Sequence, residues 1–97
     1  MTTYFVAIRL ATTDEAEMAE YGRKAALSVV GREITPLAAY GELQMVEGDP
    51  AEGALILAFP DFNEAREWYD SGAYQDAVGH RFKGARYQTF FIQGVGS

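Results

Sequence analysis

The side chains of this sequence best equipped for chemistry lie close together, at His80 and Arg81 and in the aromatic group Trp68, Tyr69 and Tyr74 before them. His80 is the only histidine, and imidazole alone has an ordinary pKa near neutrality, so it is the candidate general acid or base. At helical spacing it falls beside the stripe Tyr74, Val78 and Arg81, toward Ala73, a position suited to a cleft rim or to solvent. Arg81 falls within that apolar stripe. A guanidinium there must meet either a carboxylate of the fold, from the segment carrying Glu64 and Glu67, or an anionic ligand. Trp68, Tyr69 and Tyr74 serve either as core or as the wall of a ligand cleft. Arg9, in the first apolar segment, is the remaining candidate ligand contact.

Other chemistries find little support. The chain has no cysteine, which excludes disulfides, thiolate metal sites and thiol nucleophiles. A single histidine without a second ligand at metal spacing argues against zinc, so no metal and no cofactor are expected. Asp61, Glu64 and Glu67 share one helix face, where capping and solvation account for them better than a glycosidase pair. The glycines form no phosphate-binding loop, and neither Ser28 nor Ser71 stands in a nucleophile elbow.

The formal charge of −6 repels a phosphate backbone, so nucleic acid is not an expected partner. Residues 1–76 carry all 14 acids and a net −9, whereas residues 77–97 carry Arg81, Lys83 and Arg86 and no acid. That basic end either pairs with acidic helices of the same fold or marks a site for a small anion. No apolar run approaches the ~18 residues of a membrane span, and Met1-Thr2-Thr3-Tyr4 does not open a signal peptide. A cytoplasmic protein with no membrane partner is the expectation.

The elements that must position these residues follow from hydrophobic period. Tyr4, Val6, Ile8 and Leu10 alternate with Phe5, Ala7 and Arg9, predicting a first strand that ends near Ala11. Thr12 and Glu15 stand at capping-box spacing before a helix whose face is Met18, Tyr21, Ala25 and Val29, stopping at Gly31. Residues 35–47 read as a second strand interrupted at Gly41, with Glu47-Gly48-Asp49-Pro50 as the turn. Ala54 to Phe59 is apolar throughout, a strand covered on both faces, and Pro60 ends it. Asp61 caps a helix bearing Ala65, Trp68 and Tyr69, and Ser71 caps a further helix bearing Ala73 to Arg81. Gly84 precedes a last strand, Ala85 to Gln93, and Gly94-Val95-Gly96-Ser97 reads as a frayed end.

The order β-α-β-β-α-β predicts one α+β domain over 1–97. It is a ferredoxin-like split βαβ fold, with a four-stranded antiparallel sheet and its helices on one face. An apolar sheet face left bare by the helices needs a cover, and a second copy supplies the simplest one. The expected partner is therefore the chain itself, as a homodimer closing into an α+β barrel.

The string Phe59-Pro60 followed by Trp68-Tyr69-Asp70-Ser71 and Arg81 resembles the family called domain of unknown function 1330, most closely from Glu47 to Arg81. Tyr4 and Tyr21 also match. The resemblance implies the dimeric α+β barrel and no established reaction. Architectures of that kind include cofactor-independent monooxygenases, isomerases and haem-dependent enzymes. The chain departs from the family at Glu33-Ile34, where a Gly-Gly pair is usual, and at Gln93-Gly94. It departs also at Ala39-Tyr40-Gly41, where an Arg usually precedes the Gly.

Two function classes follow. One is a small-molecule binder or cofactor-independent enzyme with a pocket between sheet and helices, taking a small anionic or aromatic compound. The other is a non-catalytic dimeric module.

Overall fold

Seven elements run through residues 1–96, the part of the chain described by the computed structural model. They are β1 (Thr3–Thr12), α1 (Glu15–Ser28), β2 (Thr35–Ala39), β3 (Gly53–Phe59), α2 (Phe62–Asp70), α3 (Gly72–Gly84) and β4 (Ala85–Gln93). The strands form one antiparallel sheet in the order β2-β3-β1-β4, so the chain has the ferredoxin-like split βαβ arrangement with its second helix divided in two. The division falls at Ser71, whose hydroxyl accepts from the Tyr74 amide and donates to the Trp68 carbonyl, closing one helix while opening the next. Among the described residues, no helix is long and apolar enough to cross a membrane.

Alternation divides the sheet into two faces. Phe5 pairs with Leu57 and Phe91, and Ala7 with Leu55; this parity faces the helices. Phe5, Ala7, Leu57 and Phe59 are buried there against Ala65, Trp68, Tyr74, Ala77 and Val78. Tyr4, Val6, Ile56 and Ile92 lie on the opposite parity and, with Leu37, line a shallow hollow of about 300 Å³ on the helix-free face. Phe90 and Ile92 are thus exposed, on the opposite parity from Phe5 and Ala7.

Three local expectations change. The cap of α1 is Asp14, whose carboxylate accepts from the Ala16 and Glu17 amides, in place of Thr12. Thr12 still belongs to β1, where its hydroxyl and amide donate to Glu52. The second strand ends at Ala39 and does not run to residue 47. Tyr40 makes a last ladder bond to the Ala54 carbonyl at 2.8 Å, then turns the chain out of the sheet at φ 58°, a left-handed conformation uncommon for a side chain of its size. Residues 41–46 beyond it are exposed and without regular structure. Gly94 is held rather than frayed, its amide donating to the Thr2 carbonyl at 2.8 Å; Ser97, the last residue of the expected frayed end, lies outside the described residues.

α1 and α3 lie side by side over the sheet. The Thr13 and Asp14 amides both donate to the Gly84 carbonyl, at 2.8 and 3.0 Å. A Cβ on Gly84 would sit 3.0 Å from Asp14, Glu17 and Met18, so only glycine permits this approach without displacement.

Candidate functional site

Between α1 and the sheet lies a cavity of about 210 Å³. Its apolar wall includes Ala25, Val29, Leu55, Leu57 and Trp68, and Tyr21, Tyr40 and Tyr74 also border it. α1 contributes Tyr21, the end of β2 contributes Tyr40, and α2 and α3 contribute Trp68 and Tyr74. Trp68 is fixed by its indole N–H, which donates to the buried Ser28 hydroxyl at 3.1 Å, and by a tilted ring contact with Tyr74 at a centroid distance of 4.2 Å.

The phenols are paired. The Tyr21 and Tyr74 hydroxyls lie 2.8 Å apart, as do those of Tyr40 and Tyr87. Each pair holds two phenolic protons and uses one in its mutual bond, so each retains a proton to donate elsewhere. Arg81 constrains the first pair further, because its Nη1 donates to the Tyr74 oxygen at 3.1 Å. Whichever way the Tyr21–Tyr74 bond runs, one of the two hydroxyls keeps a free proton, and Arg81 polarises the chain toward donation.

Arg81 is buried, and its Nε has no hydrogen-bond partner among the described residues. Its guanidinium carbon lies 5.0, 5.4 and 5.8 Å from the ring centroids of Tyr87, Phe82 and Tyr21. Burial opposes its charge, but the Tyr74, Tyr21 and Tyr69 oxygens outweigh that and hold its pKa above the ordinary guanidinium value. The carboxylate expected from the Glu64 and Glu67 segment is not its partner among the described residues: Glu67 pairs with Arg32, at 3.9 Å, and Glu64 forms no ion pair. Among the described residues Arg81, Lys83 and Arg86 form no ion pair, so the basic end of the chain is not neutralised by direct pairing with the acidic helices. Burial pushes the pKa values of Tyr21, Tyr40 and Tyr74 up. All three phenols are therefore proton donors at neutral pH and not bases.

The sequence candidates are thus distributed unevenly. Trp68 and Tyr74 border the cavity, and Arg81 stands directly behind Tyr74. Tyr69 does not border it but packs on Tyr74 and Phe91, with Arg66 over its ring. Arg9 lies 4.9 Å from the Tyr40 ring centroid while its Nε donates to Glu52 at 3.1 Å, so it props Tyr40 from outside. His80 is not at the cavity; its Nδ1 lies 2.6 Å from Glu17, bridging α3 and α1. Among the described residues no cluster of His, Asp and Glu converges to hold a metal. Sequence reasoning missed Tyr21, Tyr40 and Tyr87 as site residues; the match of Tyr21 to the family and the departure at Ala39-Tyr40-Gly41 were the signals available for the first two.

The sequence matches the family described as "Domain of unknown function (DUF1330)" over residues 2–95. The chain belongs to the DUF1330 family. Solved structures similar to this DUF1330 chain share its fold at low identity. RPA0582 of Rhodopseudomonas palustris, a protein of unknown function, superposes with a TM-score of 0.77 at 15% identity, covering 99% of this chain and 84% of that one. SnoaB of Streptomyces nogalater, a cofactor-independent oxygenase, gives 0.68 at 10% identity over 99% and 95%. A dimeric ferredoxin-like protein of unknown function from Thermobifida fusca gives 0.67 at 9% over 95% and 90%. No curated protein matches this DUF1330 member.

Proposed function

We propose that this protein binds a small, largely apolar molecule carrying one oxygen able to accept strong hydrogen bonds. The observation that carries this reading is the buried, carboxylate-free Arg81 donating to Tyr74 at the edge of an apolar cavity. An isolated buried charge is costly, so a site that retains one beside an open volume is suited to a partner of opposite or partial negative charge. A cavity of about 150 Å³ lined by aliphatic residues accommodates benzene. The volume here therefore suits a substituted single ring.

Any reaction at this site would draw on oxyanion stabilisation by phenolic donors backed by a guanidinium, without a cofactor. SnoaB, a cofactor-independent oxygenase on the same fold, makes such a reading reasonable but lends no residue to it. We assign His80 to holding α1 against α3 through Glu17. The direct test is a thermal-shift screen of small phenols, enols and aromatic carboxylates against the wild type and Arg81→Met. A ligand that stabilises the wild type and loses its effect in the variant supports the reading; no stabilisation by any member of the screen replaces it with a non-catalytic dimeric module.

We infer also that two copies pair through the helix-free sheet face. Leu37, Phe90 and Ile92 are exposed there around Tyr4, Val6 and Ile56. A contiguous apolar face of this kind favours an isologous cover. Similar proteins from Thermobifida fusca and Jannaschia are described as dimeric. Sedimentation equilibrium tests it; a mass of 10.7 kDa persisting at high concentration would exclude it.

A further inference from the structure

We propose that the cavity selects phenols and enols and holds them as their conjugate bases, with the oxyanion among the Tyr21, Tyr74 and Tyr40 hydroxyls and Arg81 as the counter-charge. The inference rests on the ligand-pocket reading above and specifies its substrate class.

Two observations favour an oxyanion over a neutral ligand, and a third fixes where its proton goes. The first is donor count. The two phenol pairs each retain one proton after their mutual bond, and three of the four hydroxyl-bearing rings border the cavity. An oxygen with several lone pairs and no proton suits that arrangement; a neutral hydroxyl would bring a further donor of its own. The second is charge. Arg81 is the one buried cation, its Nε is unpartnered, and no carboxylate pairs with it among the described residues. An arriving anion therefore completes a charge pair relayed through Tyr74, without displacing an internal partner.

The third is the absence of a base among the residues that line the cavity. Burial keeps the phenols protonated, and no carboxylate or histidine borders the space. The proton of the ligand must consequently leave to solvent, as ArOH plus the empty site gives ArO⁻ in the site and one solvated proton. No redox partner is needed for that step. Carboxylates carry the same charge, but their two oxygens call for a bidentate donor pair, and here the guanidinium does not itself line the cavity but stands behind the tyrosines that do. The apolar wall of Leu55, Leu57, Val29 and Trp68 accommodates the ring.

The probe is para-nitrophenol, whose phenolate has a visible band that its neutral form lacks, read together with the fluorescence of Trp68 in the cavity wall. The expected result is that the bound probe shows the phenolate band at a pH where the free probe is mostly protonated. Its apparent pKa on the protein should be lower by about one unit or more, with about one proton released per site in weak buffer. Arg81→Gln should return that value toward the free one. Should Arg81→Gln fail to fold, Tyr74→Phe keeps the ring and breaks the relay, and it must raise the bound pKa. A bound pKa equal to or above the free value, or one unmoved by both variants, overturns the oxyanion proposal. If para-nitrophenol binds in its neutral form, quenching Trp68 as well as its methyl ether does, the pocket reading stands and this inference falls. If neither compound quenches Trp68, the pocket reading itself is wrong.

Discussion

The Nη1 of Arg81 donates to the Tyr74 hydroxyl at 3.1 Å, and no carboxylate accompanies it among the described residues. This separates Arg81 from a structural ion-pair residue, and the first expectation concerns its stability. Removing one member of a buried ion pair leaves a stranded charge, whereas the Arg81 charge is offset by the Tyr74 oxygen and three ring faces, so an apolar chain in its place loses those contacts but strands no opposite charge. Arg81→Met should therefore fold with a urea midpoint close to that of the wild type, not with the large loss that follows breaking a buried ion pair.

Trp68 is the opposite case. It is 2% exposed and contacts Phe5, Phe59, Tyr69 and Tyr74. Trp68→Ala should cost ~3–5 kcal/mol in urea unfolding. Ser28→Ala leaves the buried indole N–H without its acceptor and should cost ~1–3 kcal/mol.

Alkaline pH should destabilise the fold through the phenols. The folded pKa values of Tyr40 and Tyr74 are raised above the ordinary tyrosine value, chiefly by burial, so the unfolded chain releases these protons first. Their contribution is therefore fully present below about pH 10 and declines as pH rises beyond it. Denaturation midpoints measured from neutral to strongly alkaline pH should stay flat and then fall. The fall should be shallower in Tyr74→Phe.

On the helix-free face, Ile92→Glu should shift sedimentation toward the single chain without altering circular dichroism, because Ile92 is 52% exposed and contributes little to the core of one copy. An unchanged dimer would place the interface elsewhere.

Glu52 accepts from the Thr12 hydroxyl and amide and from Arg9. These contacts, led by the Thr12 hydroxyl, hold its pKa below the usual carboxylate value. A depressed folded pKa means that this support is present above the ordinary carboxylate range and fades as pH falls through the folded value. Glu52→Ala should leave the global midpoint nearly unchanged and raise the rate of proteolytic cleavage within residues 41–50. Cleavage at the wild-type rate would show that Glu52 does not restrain the segment.

What the sequence revealed was mostly local. Asp61 before Glu64 and Ser71 before Tyr74 marked two helix starts, because a capping oxygen and the amide that donates to it lie three residues apart. The uniform apolarity of Ala54–Phe59 marked an inner strand with two apolar faces. The second strand was overrun because apolar residues continue past Ala39 to Val46, and only the outward turn at Tyr40 breaks the pairing. The site was half legible. Trp68, Tyr74 and Arg81 share one sequence neighbourhood, but Tyr21 and Tyr74 meet across 53 residues and Tyr40 and Tyr87 across 47, and no local period encodes such encounters.

The segment between Tyr40 and Glu52 is fastened at each end by bonds that do not involve the residues between. Tyr40 is tied to Ala54 and Tyr87, and Glu52 to Thr12 and Arg9. Lengthening such a span adds only a logarithmic closure entropy, about 0.6 kcal/mol per doubling. Residues 42–49 therefore form a natural graft point, where a foreign peptide or a small domain could be spliced in while the tyrosines around the cavity keep their places.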